Sequence, residues 1–159
     1  PGLMSLIVTV ADLHNKHHQE HILLLTNTYA LDVMGGGKPL SKWVMENMIA
    51  GLQAHPATLI FLAYEDDQPV GIANCFMGYS TFYAKPLINI HDLSVVPHAR
   101  GNGVGKALLT AVTKKAQAMD CCKVTLEVLA NNPARRLYER EGFTYGDPQF
   151  YFMTKIIEP

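Results

Sequence analysis

Apolar residues recur along this chain with two periods, close to 3.6 and to 2, and the changes between them mark the elements. Residues 5–10 (SLIVTV) read as a first strand, and residues 14–33 as a helix with Ile22, Leu23, Leu25 and Tyr29 on an apolar face. MGGGKPLS (34–41) interrupts the pattern, and Ser41 is a candidate N-cap for a second helix reaching Gln53. Val44, Met45, Met48, Ile49 and Leu52 keep helical spacing there, and His55-Pro56 ends the run. Strands follow at 58–64 and 69–77, joined by the turn signal EDDQ. Residues 78–86 read as a longer aromatic connection.

The next strand, LINIHDLSV (87–95), changes parity: Ile88 and Ile90 occupy even positions, Leu93 and Val95 odd ones. Either both faces are buried or a β-bulge lies near His91-Asp92. The bulge is preferred, because bulges re-aim side chains beside active sites. A glycine loop follows, then a helix with Val104, Ala107, Leu108, Ala111 and Val112 on one face. KVTLEV (123–128) alternates as a strand. Asn131-Asn132-Pro133 opens a short helix with an Arg135–Glu139 pair at i,i+4, which Gly142 stops. QFYFMTKII (149–157) reads as a final strand. An early hairpin and later β-α-β units predict an α/β fold with a mixed sheet, in one domain over residues 1–159.

The loop between strand and helix carries the first chemistry. ARGNGVGKAL (99–108) alternates Gly101, Gly103 and Gly105 between Arg100 and Lys106. Glycine lets backbone N–H groups face a ligand, and a helix N-terminus attracts anions. A Walker A loop fails, because three residues separate Gly101 from Gly105 and Ala107 follows Lys106. A dinucleotide fingerprint is weak, since it needs glycine where Lys106 stands. The remaining pattern, Arg-x-x-Gly-x-Gly, fits Arg100, Gly103 and Gly105. A second motif follows in order: Asn131, Ala134, Tyr138, Gly142 and Phe143 fit Asn-x-x-Ala-x-x-x-Tyr-x-x-x-Gly-Phe.

Together these motifs resemble the GNAT superfamily of acetyl-CoA-dependent N-acetyltransferases, strongly over residues 87–143 and by element order before that. The resemblance implies a mostly antiparallel mixed sheet flanked by helices, splayed between the strands at 87–95 and 123–128. It implies acetyl-CoA as cosubstrate, its pyrophosphate cradled by Arg100, Gly101, Asn102, Gly103, Val104, Gly105 and Lys106. The backbone at Leu93 and Val95 would pair with the pantetheine arm, and Asn131, Ala134 and Tyr138 would complete the cofactor site. Tyr138 is the implied proton donor to the leaving thiolate.

The amine must lose a proton before it attacks, and histidine is the natural base near neutral pH. His91 lies nine residues before Arg100, an offset at which related acetyltransferases of small amines carry histidine or glutamate. Histone-type enzymes place their glutamate two residues earlier, where this chain has Asn89, which is no base. His91 is therefore the candidate general base, with Asp92 orienting it or binding substrate. Asp32, Trp43, Tyr79, Phe82 and Tyr83 are weaker candidates for contact with the acceptor.

Composition narrows the alternatives. The net charge of −1 offers no basic field for nucleic acid. No apolar run is long enough to span a membrane, and the opening residues lack a positive n-region. Cys75, Cys121 and Cys122 are odd in number and fit reduced packing thiols in a cytoplasmic protein. His14, His17, His18 and His21 fall at i,i+4 spacings but in polar surroundings, so a solvated helix face is expected and no metal. The expected activity is acetylation of a small-molecule primary amine in a ternary complex. The alternatives are a protein lysine or N-terminal acetyltransferase and a non-catalytic CoA-binding sensor. The resemblance is compatible with a homodimer, though no stretch of sequence marks an interface.

Overall fold

Glu65 pairs with Gln68 across a hairpin whose two linking residues, Asp66 and Asp67, have φ of 46° and 68°. Positive φ at both positions is the type I′ geometry that matches strand twist, and aspartate tolerates it. This hairpin joins the second and third strands of an open sheet of five, which lie in sequential order. The computed structural model describes residues 5–159. The opening residues 1–4, part of the stretch read as lacking a positive n-region, lie outside the described residues.

The strands are β1 (Leu6–Val10), β2 (Thr58–Glu65), β3 (Gln68–Ser80), β4 (Lys85–Val95) and β5 (Val124–Leu126). Pairing is antiparallel from β1 to β4 and parallel between β4 and β5. The helices are α1 (Lys16–Leu31), α2 (Lys42–Ala54), α3 (Val104–Ala118) and α4 (Arg135–Arg140). The expected cap of α2 is present, with the Ser41 side chain accepting from the Val44 N–H. Asn15 caps α1 in the same way, accepting from the His18 N–H. No helix among the described residues is long and apolar enough to cross a membrane.

Side-chain parity divides the core. Phe61, Ala63, Ala73 and Cys75 face α3, packing with Val104, Leu108 and Val112. Ile60, Leu62 and Ile72 face the opposite way, onto Ile22 and Leu25 of α1 and Met48 and Leu52 of α2. The parity change in β4 has the expected cause. Asn74 pairs with Asp92 and Cys75 with Ile90, so His91 is the extra residue of a bulge. Ile88 and Ile90 before it, and Leu93 and Val95 after it, all pack against the α3 side.

The predicted splay is also present. The β4–β5 ladder runs from Ile88↔Val124 to Ile90↔Leu126 and stops, while β4 continues to Val95. The strand expected over 123–128 therefore forms only at its centre.

Three expectations change. The connection expected over 78–86 shrinks to four residues, because β3 runs on to Ser80 and β4 starts at Lys85. The short helix starts at Arg135 rather than at Asn131, since Asn132 instead accepts from the Ala134 N–H and holds the chain in a turn. Residues 149–157 form no strand. Their apolar pattern is present, but no neighbouring strand supplies a ladder to them.

Candidate active site

The bulge at His91 and the end of the β4–β5 ladder fall at the same level of the sheet, and a cavity of about 410 Å³ opens there. Its walls include Tyr29, His91, Leu93, Glu127, Asn132 and Tyr138. Tyr138 is 7% exposed, with its ring edge-on to Phe143 at 6.1 Å. Burial pushes its phenol up to about 12, and nearby Tyr29 adds to the shift. The group is therefore a neutral hydroxyl at any physiological pH, the state a proton donor needs.

His91 is exposed and packs edge-on against Phe76 at 5.7 Å. It also borders a second cavity of about 440 Å³, lined by Met48, Leu52, His55 and Phe76. The imidazole thus stands where the two cavities adjoin. Asp92 does not orient it by a hydrogen bond. Its Oδ2 instead accepts from Asn74 Nδ2 at 3.1 Å, and the same amide donates to Thr26 Oγ1 at 3.2 Å. Asn74 Oδ1 is buried without a partner among the described residues. The Asp92 charge raises the Tyr29 hydroxyl, after burial and ahead of Asp32, and it pushes the same way on the Cys75 thiol, which burial takes to about 12. Cys75 is thus an inert packing thiol.

Glu127 is not marked in the sequence, because its partner is on another strand. Asn89 Nδ2 donates to Glu127 Oε1 at 2.8 Å and to Thr125 Oγ1 at 3.1 Å, across the last rungs before the splay. This holds a carboxylate at the cavity wall. Tyr29 reads in the sequence only as an apolar helix position. Asn132, not Asn131, lines the cavity, while Asn131 is exposed. Ala134 is the N-cap of α4.

The glycine loop connects the end of β4 to α3. Gly101 and Gly103 have φ of 82° and 83°, and a Cβ on either would meet open space. These glycines therefore serve the backbone path and not packing. Gly103 is the N-cap of α3 and provides no side-chain cap, so the helix's first-turn N–H groups keep their capacity for an anion. Gly105 matters for packing instead. A Cβ there would stand 2.8 Å from Leu137 Cδ2, so the end of that side chain occupies the space the glycine leaves. Val104 is buried, whereas Asn102 and Lys106 are exposed. Arg100 donates from Nε to the Val95 carbonyl at 3.1 Å and from Nη2 to Asp32 Oδ2 at 2.8 Å. Beyond Ile90 no β5 residue pairs with β4, so the edge backbone at Leu93 faces the splay.

Several candidates do not reach the site. Phe82 is 99% exposed, and Trp43, Tyr79 and Tyr83 are also on the surface away from both cavities. His18 Nδ1 accepts from the Asp12 N–H, and His21 Nδ1 lies 2.7 Å from the Tyr64 hydroxyl. These two histidines serve the fold. The expected Arg135–Glu139 pair is replaced by a bridge, in which Arg135 donates to the Tyr145 hydroxyl and that hydroxyl donates to Glu139.

Residues 24–143 match the profile of the acetyltransferase (GNAT) family. The chain belongs to the GNAT family. Its fold agrees with a solved probable acetyltransferase at a TM-score of 0.82 and 18% identity, over 96% of this chain and 99% of that one. It agrees also with the aminoglycoside N-acetyltransferase AAC(6')-Iy, solved in complex with CoA, at a TM-score of 0.74 and 18% identity, over 98% and 99% of the two chains. In sequence, the uncharacterized N-acetyltransferase YhfO of Bacillus subtilis (strain 168) is 34% identical over 95 residues. That match covers 59% of this chain and 63% of the relative, so less than two thirds of the relative's length is spanned. In this GNAT chain β4 and β5 part beyond Ile90, and α3 begins with no side-chain cap.

Proposed function

We propose that this GNAT chain transfers an acetyl group from acetyl-CoA to a primary amine of a small molecule, by direct attack with both substrates bound. The observation that carries the reading is Tyr138: a buried, neutral phenol in the wall of a cavity that opens where β4 and β5 part. Bound acetyl-CoA would supply the acetyl group already activated as a thioester. Arg100, Lys106 and the first turn of α3 hold its pyrophosphate, with Gly101, Asn102, Gly103, Val104 and Gly105 forming the loop. The edge backbone at Leu93 and Val95 pairs with the pantetheine arm, and Asn132 in the cavity wall flanks it, with Asn131 and Ala134 close by in the chain.

His91 takes the proton that the ammonium must lose, directly or through water. Asp92 sits half-buried with Asn74 as its partner and, among the described residues, no cation at ion-pair distance. Together with Glu127 it favours an acceptor that arrives positively charged. Tyr138 then donates its proton to the sulfur as the carbon–sulfur bond breaks, so the thiol leaves neutral. No cysteine is placed for an acyl-enzyme: Cys75 is buried, and Cys121 and Cys122 lie before β5, outside both cavities.

The test is thiol release from acetyl-CoA across polyamines, amino acids, aminoglycosides and lysine peptides, with Tyr138→Phe as control. Turnover on a small amine, strongly reduced in the variant, supports the proposal. Turnover confined to peptides would reassign the acceptor, and CoA binding without turnover would make the chain a sensor.

A further inference from the structure

Met48, Gly51, Leu52 and His55 follow one another at i, i+3, i+4 and i+7, a single stripe along α2 that ends at its C-cap. The stripe forms one wall of the cavity of about 440 Å³, and Phe76 of β3 and His91 of the β4 bulge form the other. Phe76 stands edge-on to both imidazoles, 5.3 Å from His55 and 5.7 Å from His91, at interplanar angles of 76°. Gly51 is the gap in this wall. Glycine is among the poorest helix formers, yet it occupies the last turn of α2. No neighbour requires it: a Cβ at 51 would meet no atom within 4 Å, unlike one at Gly105. What the missing side chain leaves is open space beside the cavity.

The two cavities that adjoin at His91 differ in chemistry. The one reaching Tyr138 carries the polar side chains of Glu127 and Asn132. The one beneath α2 has no carboxylate, lysine or arginine in its wall. A polar amine is therefore favoured on the first side of His91 and an uncharged apolar group on the second.

We propose that the cavity beneath α2 takes the apolar group of the acceptor, so that the substrates are primary amines carrying an aromatic ring a short linker away from the nitrogen. The inference rests on the proposed acetyl transfer and names its acceptor class. Size agrees: roughly 150 Å³ holds a benzene ring, so a cavity of about 440 Å³ admits a ring and its linker. The lining agrees as well. A ring entering there meets Phe76, His55 and His91, which suit edge-to-face contact, and the thioether of Met48 adds a sulfur contact. The nitrogen then stands at His91, where the cavities adjoin. Gly51 sets how bulky a group the cavity admits, which makes it a specificity-determining position.

Ethylamine and 2-phenylethylamine differ only in the ring, so their acetylation by the full chain tests the cavity. The aromatic amine should exceed ethylamine in kcat/KM by at least about tenfold, the lower end for burying a group of that size. Gly51→Leu puts a side chain where the glycine leaves space. It should raise KM for 2-phenylethylamine about tenfold and act much less on ethylamine. Its melting temperature should not fall, since leucine favours the helix and its Cβ meets no neighbour. Equal kcat/KM for the two amines, or an equal effect of Gly51→Leu on both, would overturn the inference and leave acetyl transfer standing. If neither amine is acetylated, binding decides. Titration with 2-phenylethylamine, followed by NMR with and without CoA, should shift the Gly51 and Phe76 amides, and Gly51→Leu should abolish the shifts. That result without turnover would keep the apolar site and sink the transfer reaction. No shift at those amides would overturn the inference.

Discussion

Arg100 Nη2 stands 2.8 Å from Asp32 Oδ2, so the cation of the glycine loop is tied to the turn that follows α1. This hydrogen bond is the main reason the Asp32 carboxyl is held below its ordinary range, ahead of the Met34 N–H. In the proposed function, a pyrophosphate at the loop would compete with Asp32 for the same guanidinium. Arg100→Ala should therefore raise the Kd for CoA about tenfold, the worth of one charge-assisted hydrogen bond. Asp32→Asn should act in the opposite direction and tighten CoA by about two- to threefold, since an exposed pair is worth under about 1 kcal/mol. Calorimetric titration of both variants with CoA decides it. Weaker binding by Asp32→Asn would show that the carboxylate positions Arg100 and does not compete for it.

Tyr138→Phe removes one oxygen and preserves the ring that packs on Phe143. The expected loss in kcat is about 10²-fold or more, the usual worth of a positioned acid, with little change in KM for acetyl-CoA. The native phenol, at about 12, is raised above the ordinary value of 10.0. The sign follows from linkage: the unfolded chain loses this proton first, so the contribution to stability is complete below about pH 10 and is lost as pH rises toward 12. Alkaline melting curves should show the native protein losing stability across that window and Tyr138→Phe losing less.

The sequence exposed what is local and hid what depends on contacts between distant segments. The bulge was legible because Ile88 and Ile90 share one parity and Leu93 and Val95 the other, and only an extra residue puts all four on one face. The glycine loop was legible from spacing. Glu127 was not, because the Asn89 amide that holds it lies 38 residues away. The Arg135–Glu139 pair failed for a related reason, since Tyr145 folds back between them. Aromatic residues at 79, 82 and 83 have the composition of an acceptor surface, but the β3–β4 hairpin carries them out into solvent.

Gly105 separates loop chemistry from packing. Its missing Cβ leaves room for Leu137, the residue next to Tyr138. Gly105→Ala makes the end of that side chain give way and should destabilise the fold by about 1 kcal/mol, the low end of the cost of overpacking. It should also lower kcat, because Leu137 and Tyr138 share α4, while CoA affinity changes less than in Arg100→Ala. Denaturant melts and steady-state rates on the same preparation test both parts. A large loss of CoA affinity with full stability would assign Gly105 to the pyrophosphate instead.

His21 gives the fold an acid-side sensitivity. Burial lowers its proton affinity, the charges of His17 and His18 add to the shift, and Glu20 opposes them. Its Nδ1 lies within hydrogen-bond distance of the Tyr64 hydroxyl, at 2.7 Å. A histidine lowered in the folded state binds its proton more tightly when unfolded. Stability is therefore complete above the ordinary value of 6.5 and falls as pH drops below it. The melting temperature should decline below about pH 6.5, and His21→Gln should flatten that decline.

The pH dependence of catalysis separates the two groups that could receive the amine proton. His91 and Glu127 line one cavity with Tyr138, but they are held differently. Glu127 already accepts from Asn89 at 2.8 Å, which fixes its carboxyl group at the cavity wall. His91 has one aromatic neighbour at 5.7 Å and no hydrogen-bond partner among the described residues, so its ring is available to accept a proton. His91→Gln should lower kcat/KM by about 10²-fold or more and remove the acid limb of the pH profile. Glu127→Gln should keep that limb and mainly raise KM for a cationic acceptor, by about tenfold if one charge-assisted contact is lost. An intact acid limb in His91→Gln that disappears in Glu127→Gln would move the base to β5 and leave His91 as part of the acceptor wall.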